Sequence, residues 1–190
     1  MGIECDEDGI VKYNISNNAS LYSGKSNIRT IHPLPASSNY FYFEVEILGS
    51  EGEGCIEIGL VTKDTQENRL LSESSSCIGY TNVNSSAKFK GTITYGGERT
   101  YTGERLDFSK DDVIGFELRR VQYGNIVLNL ARFSKNGRFV GPVTLLSNGE
   151  YYPAIAFNYR PAKVKTNLGE SSFHYEKKGN HITSVYVAQC

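Results

Sequence analysis

Apolar and polar residues alternate with a period of two over several short stretches of this chain. From Tyr40 to Leu48 (YFYFEVEIL), Phe41, Phe43, Val45 and Ile47 share one face; Tyr42, Glu44, Glu46 and Leu48 share the other. That is the pattern of a half-buried strand. The first set is expected in the core, with Glu44 and Glu46 on a solvated outer face. Between Ile126 and Phe133 a second alternation runs into Asn136-Gly137. That dipeptide suits a type I′ hairpin turn, which needs positive φ at both central residues. Arg138-Phe139-Val140 returns, and Gly141-Pro142 is expected to end the strand, because proline brings no N–H to a ladder.

Further strands are read at Gly9–Tyr13, Ile28–Ile31, Cys55–Thr62, Cys77–Tyr80, Lys88–Tyr95, Val113–Leu118, Tyr151–Phe157 and Lys163–Leu168, with a short one at Leu21-Tyr22. Gly59, inside CIEIGLVT, suggests a bulge or a close backbone contact. His32-Pro33-Leu34-Pro35 is an extended turn. Lys63 to Ser76 is a long polar loop with room for one helical turn. No stretch of useful length has a helical period, and no internal repeat is present. Short strands with regularly spaced turns argue for an all-β, two-sheet antiparallel sandwich. Residues 1–8 read as an N-terminal tail, 9–175 as one domain and 176–190 as a C-terminal extension. Within the extension, Ile182 to Val187 is either a closing strand beside the N-terminal one or a frayed tail.

Composition supports this reading and narrows the chemistry. The 190 residues include 13 Tyr, 9 Phe and no Trp, and the net charge is −1. Such a balance provides no field to gather nucleic acid or an anionic membrane. The N-terminus MGIECDEDGI has no apolar h-region, and Asp6 stands where a myristoylation motif wants Ser or Thr. Cys5, Cys55, Cys77 and Cys190 are scattered without CxxC spacing, so free thiols in a reduced, cytoplasmic or nuclear setting are expected. Three sequons, at Asn14, Asn18 and Asn84, would matter only if a signal peptide had been removed and the chain were secreted. His32, His174 and His181 are far apart and form no metal-spaced pair. The serine runs lack a strand-turn-helix setting for a nucleophile. No catalytic residue, metal or cofactor is read from the sequence.

An ordered series of segments carries a family resemblance: Arg29–Ile47 (RTIHPLPASSNYFYFEVEI), IEIGL at 56–60, IGY at 78–80, DVIG at 112–115, FSKNG at 133–137, Tyr152-Pro153-Ala154 and NLGESSF at 167–173. Together they resemble a SPRY domain over Gly9 to Tyr175. The HPLP run followed by YFEVEI looks closest to the Ran-binding protein of the microtubule-organising centre and its relatives. There are departures. Thr81-Asn82-Val83-Asn84 replaces the customary Gly-Asp-Asp-Gly, Asp111 replaces a Gly, and the longer segment from Phe116 to Ser134 suggests a projecting hairpin.

The resemblance implies a bent, concanavalin-like β-sandwich that binds another protein, as an adaptor or substrate-recognition domain, through loops at one end. By position, the pocket residues would be Tyr22, Pro33, Leu34, Tyr80, Thr81, Asn82, Asn158, Tyr159 and Arg160. Tyr80 and Tyr159 would supply contact area, and the Asn side chains would meet peptide amides. The expected partner is a short linear motif, and the expected state a monomer. The rival class is a carbohydrate-binding or glycan-processing sandwich. A glycosidase needs two carboxyls set across a cleft, whereas the acidic residues read here lie on outward faces or in turns. A secreted SPRY-type effector is the third reading.

Overall fold

The computed structural model describes residues 2–14, 24–50, 54–82, 91–102, 106–158 and 160–175. Their strands are β1 (Gly2–Cys5), β2 (Ile10–Asn14), β3 (Ser26–Arg29), β4 (Tyr40–Ser50), β5 (Cys55–Val61), β6 (Ile78–Thr81) and β7 (Thr92–Tyr95). The series continues with β8 (Glu98–Thr102), β9 (Val113–Tyr123), β10 (Ile126–Lys135), β11 (Arg138–Leu146), β12 (Tyr152–Asn158) and β13 (Ala162–Asn167). Two sheets result: one in the order β1-β2-β13-β4-β9-β10-β11, the other in the order β3-β12-β5-β6-β7-β8. Every pairing is antiparallel.

The core lies between the sheets and follows the alternation. Phe43, Val45 and Ile47 of β4 face Ile56, Ile58 and Leu60 of β5 in one buried cluster, with Phe41 packed at its margin. An aromatic run crosses the interface. Phe43 meets Phe116 at 5.4 Å between ring centroids, Phe116 meets Phe133 at 5.1 Å, Phe133 meets Tyr80 at 5.4 Å and Tyr80 meets Phe108 at 5.0 Å. Tilted and edge-on pairs at these spacings add to what burial alone supplies. Gly59 marks a close backbone contact, as read from the sequence. A Cβ there would collide with the Ile78 carbonyl oxygen of the neighbouring strand.

The β10–β11 turn is built as the Asn136-Gly137 pair dictates, with φ of 50° and 75°. The returning strand does not stop at Gly141-Pro142, however, but runs on to Leu146. Gly141 takes a φ of 68°, and the register shifts between Ala131 and Phe133. β11 is the end strand of its sheet, so Pro142 withholds a donor that no neighbour requires. Asp111, standing where the family pattern has Gly, adopts a φ of 70°, a conformation Asp tolerates better than most residues. β8 was not read from the sequence; it pairs with β7 across Gly96-Gly97, whose φ values are 64° and 80°.

The outer faces correct a second expectation. Glu44 is 2% exposed rather than solvated, and Glu46 is half-buried. The segment after β13 folds across β4. Glu44 accepts the N–H groups of His174 (2.8 Å) and Tyr175 (2.9 Å) and the Tyr42 hydroxyl (2.9 Å). Phe173 and Tyr175 pack on the Tyr42 ring, and Tyr175 also meets Phe139. Glu117, 1% exposed, accepts Arg119 Nε (2.7 Å) and Arg132 Nε (2.8 Å) on the same face. Cys55 and Cys77 are buried free thiols, whereas Cys5 is disulfide-bonded. The free-thiol expectation fails at Cys5 because spacing along a chain carries no information on a bond closed by the fold.

Asp112 ties the start of β9 to the hairpin turn. It accepts the Ser109 N–H (2.9 Å) and the Asn136 amide (2.7 Å), and it pairs with Lys135 at 3.0 Å. Burial alone would raise its pKa, but those donors outweigh burial and hold it below its ordinary value. A depressed folded-state pKa contributes stability that is present above the unfolded value and lost as pH falls through the folded one. Asp112→Asn should therefore unfold about 1 kcal/mol more easily at neutral pH, a modest effect for a partly exposed group. Denaturant titrations along a pH series should show the variant and parent converging in strong acid.

Candidate functional site

β-strand parity decides which predicted residues can meet. Phe157, Ile56, Ile58 and Tyr80 point into the core; their neighbours Asn158, Cys55, Glu57 and Thr81 therefore point out of the six-stranded sheet. Register then assembles them, with Asn158 opposite Cys55 and Glu57 opposite Thr81. Cys55 Sγ lies 3.1 Å from Thr81 Oγ1. Asn82 extends the ladder beyond β6: its N–H donates to the Ile56 carbonyl (3.3 Å), and its Oδ1 accepts the Ile56 N–H (2.9 Å). The Arg160 N–H donates to the Asn158 carbonyl (3.0 Å). The Arg160 stem lies close against Gly54, where an added Cβ would come within 2.9 Å of it. Arg160 is exposed.

This end of the sheet is polar yet covered. Glu57, 2% exposed, accepts the Ser72 N–H (2.9 Å) and the Ser72 hydroxyl (2.6 Å) from a single 3₁₀ turn at Leu71–Glu73. Burial pushes its carboxyl pKa up against those donors. Burial, followed by the nearby Glu57 charge, also pushes the Cys55 thiol up to about 12. Cys55 is therefore a protonated thiol at neutral pH, not an activated nucleophile. Asn158 is 3% exposed, and its Oδ1 has no hydrogen-bond partner among the described residues. Thr92 Oγ1, on the strand next to Thr81, is in the same condition. Buried oxygens left without a donor are uncommon and costly.

The nine residues named from the sequence do not form one group. Thr81, Asn82, Asn158 and Arg160 converge at the ends of β5, β6 and β12. Pro33 and Leu34 lie at the other end of β12, where the Leu34 N–H donates to the Tyr151 carbonyl (2.7 Å). The length of β12, about 20 Å, separates the two places. Leu34 is 5% exposed and belongs to the core, so it offers no contact area. Tyr80 is fully buried, against the expectation that it presents its ring. Its position on β6 turns it inward, and its hydroxyl donates to the Leu106 carbonyl (2.7 Å). Asn82 is 8% exposed, and its carbonyl oxygen is already committed to Ile56. Tyr22 and Tyr159 lie outside the described residues. Glu57 escaped the sequence reading, since nothing in CIEIGLVT signals that a distant loop will cover its outer face.

Comparison with known proteins agrees with this architecture. The family model of the SPRY domain matches residues 40–171. The chain belongs to the SPRY family. It is 28% identical over 158 residues to the Ran-binding proteins 9/10 homolog of Drosophila melanogaster, covering 82% of this chain and 15% of that one. Against human Ran-binding protein 9 the identity is 27%, covering 80% of this chain and 19% of the relative. The chain thus spans less than a quarter of either relative. A crystal structure of a human SPRY domain superposes with a TM-score of 0.66 at 21% identity, over 90% of this chain and 97% of that one. The SPRY domain of human HERC1 gives 0.61 at 17% identity, over 90% and 94%.

Tyr80 provides a check on the assignment of core against site. Removing its hydroxyl as Tyr80→Phe should cost about 1–2 kcal/mol by leaving the Leu106 carbonyl unpaired. Tyr80→Ala should cost about 3–5 kcal/mol by opening the aromatic run. Urea unfolding of both variants measures this. An alanine variant as stable as the parent would return Tyr80 to the list of surface residues.

Proposed function

We propose that this chain is a non-catalytic protein-interaction module that receives a peptide segment of its partner at the β5–β6–β12 end of the six-stranded sheet. The observation that carries the reading is Asn158. Its Oδ1 is a buried acceptor with no donor among the described residues, beside the exposed Arg160 and at the end where Thr81 and Asn82 close β6. An N–H of an incoming main chain would satisfy that oxygen, and Arg160 would meet an acceptor or carboxylate. Tyr159, between them in sequence, is the proposed aromatic contact, and Tyr22 belongs to the same proposed rim.

A binding role also fits the relatives. Their names record binding of Ran, although they are several times longer than this chain and Ran is not thereby assigned to it. Asn158 Oδ1 is buried, so a main-chain N–H reaches it only with rearrangement of this end on binding. The buried carboxylates found here serve as acceptors for neighbouring donors rather than as an acid and base across a cleft. The module is proposed to act as a monomer.

Selection of a displayed random-peptide library on the parent, with Asn158→Ala, Tyr159→Ala and Arg160→Glu variants alongside, tests this reading. A shared motif is expected on the parent. Arg160→Glu and Tyr159→Ala should each weaken its binding by about 1–3 kcal/mol with unchanged thermal unfolding. A motif that binds all three variants as it binds the parent would remove this end from contention.

A further inference from the structure

On the outer face of the seven-stranded sheet, Phe173 to Tyr175 lie over Tyr42, Glu44 and Phe139; no other segment among the described residues covers the end formed by the β9–β10 hairpin. Register places its side chains on one surface: Tyr123 opposite Ile126, Val121 opposite Leu128, and Leu130 opposite Leu145 on β11. Tyr123 is 74% exposed, Ile126 59%, and Leu145 and Val143 55% each. Lone exposed apolar residues are ordinary, but a contiguous patch across three strands marks an interaction surface.

The electrostatics of the border point to the occupant. Between Leu118 and Gly149 the chain has no Asp or Glu; of its basic residues there, Arg120 donates to the Pro35 and Ser38 carbonyls and Lys135 pairs with Asp112, while Arg119 and Arg132 share the face of the patch. Arg119 and Arg132 edge the patch and share the single carboxylate of Glu117, which leaves surplus positive charge beside the apolar surface. The patch spans about 13 Å along the strands and about 10 Å across them, a footprint for two to three turns of helix. We propose that this surface docks an acidic amphipathic helix of a partner protein, apolar stripe on the patch and flanking carboxylates on Arg119 and Arg132. The site is separate from the loop end proposed above and does not rest on it.

Other occupants fit less well. A strand added to the β11 edge would meet Pro142, the left-handed Gly141 and the register shift, all features that blunt an edge. Insertion of the hairpin tip into a membrane would account for Tyr123 and Ile126. It leaves Leu130, Val143 and Leu145 unexplained, because these lie behind the tip on the flat face beside Arg132.

The test uses two fluorescent helical peptides of about 14 residues with the same leucine stripe, one flanked by Glu and the other by Lys. Fluorescence anisotropy with the full chain should show the Glu peptide binding at least about ten-fold tighter at low salt. The gap should narrow near 0.5 M salt, roughly where screening sets in. Ile126→Ser with Leu145→Ser, both at exposed positions, should melt as the parent does and lose at least about ten-fold in affinity. Arg160→Glu should bind the peptide normally, which separates this site from the loop end. Equal affinity for both peptides, no binding of either, or binding unaffected by the double variant would overturn the proposal. So would patch-dependent self-association in sedimentation. Patch-dependent binding to phosphatidylcholine vesicles with about a third phosphatidylserine, without peptide binding, would overturn it in favour of a lipid surface.

Discussion

The aromatic run from Phe43 through Phe116 and Phe133 to Tyr80 and Phe108 is the constraint on which the rest of this structure depends. It fills the space between the sheets with rings that cannot be displaced without opening a cavity or misplacing a hydroxyl. Because side chains alternate strictly along a strand, each inward ring also dictates what its neighbours present outside. Phe116 and Phe133 inward place Glu117 and Arg132 outward, where they meet. Tyr80 inward places Thr81 outward, against Cys55. A slip of one residue would bury the Glu117–Arg132 pair between the sheets and expose the rings. Core and surface chemistry are thus one specification, not two.

The two sheets protect their outer faces by a shared device. Over the six-stranded sheet, the Leu71–Glu73 turn hangs from Glu57 through the Ser72 N–H and hydroxyl. Over the seven-stranded sheet, the segment Phe173–Tyr175 hangs from Glu44 through two successive backbone N–H groups. In each case a carboxylate on a strand accepts main-chain donors that the covering segment does not satisfy by itself. Such charge-assisted bonds are stronger than neutral ones, and they anchor a cover where apolar packing alone would allow it to slide. The desolvation that raises the Glu57 pKa shows what this costs.

Much of this was legible in the chain, for a definite reason. Period-two alternation at Tyr40–Leu48 and the Asn136-Gly137 turn are local signals, and the local chemistry prevailed. Gly59 was legible for the same reason, because a strand glycine implies a close approach. Where the sequence misleads, a distant element has changed the environment. Glu44 reads as solvated, and Glu57 gives no signal at all, because nothing near either announces the segment that will cover it. Gly141-Pro142 reads as a stop, yet an edge strand has no partner to miss the proline N–H. The site suffered most. Family position gives Tyr80 a partner, whereas its parity with Ile58 assigns it to the core. The same resemblance groups Pro33 and Leu34 with Asn158, although β12 holds them apart.

The same parity explains why the two proposed surfaces differ in character. At the β5–β6–β12 end, the strand ends carry outward polar residues. The recognition proposed there would work through hydrogen bonds in a buried setting, where an unpaired oxygen such as Asn158 Oδ1 is costly when empty and discriminating when filled. On the β9–β10 hairpin, the strands outrun the core. Beyond Leu118 and Asn129 little of the other sheet remains to pack against, so apolar residues face solvent on both sides of the ribbon, Val127 on one and Ile126 on the other. A ribbon extended past its own core gains nothing from these side chains while the chain is alone. In the proposed complex a partner would cover them, and Arg119 and Arg132 on the same face would favour an acidic one.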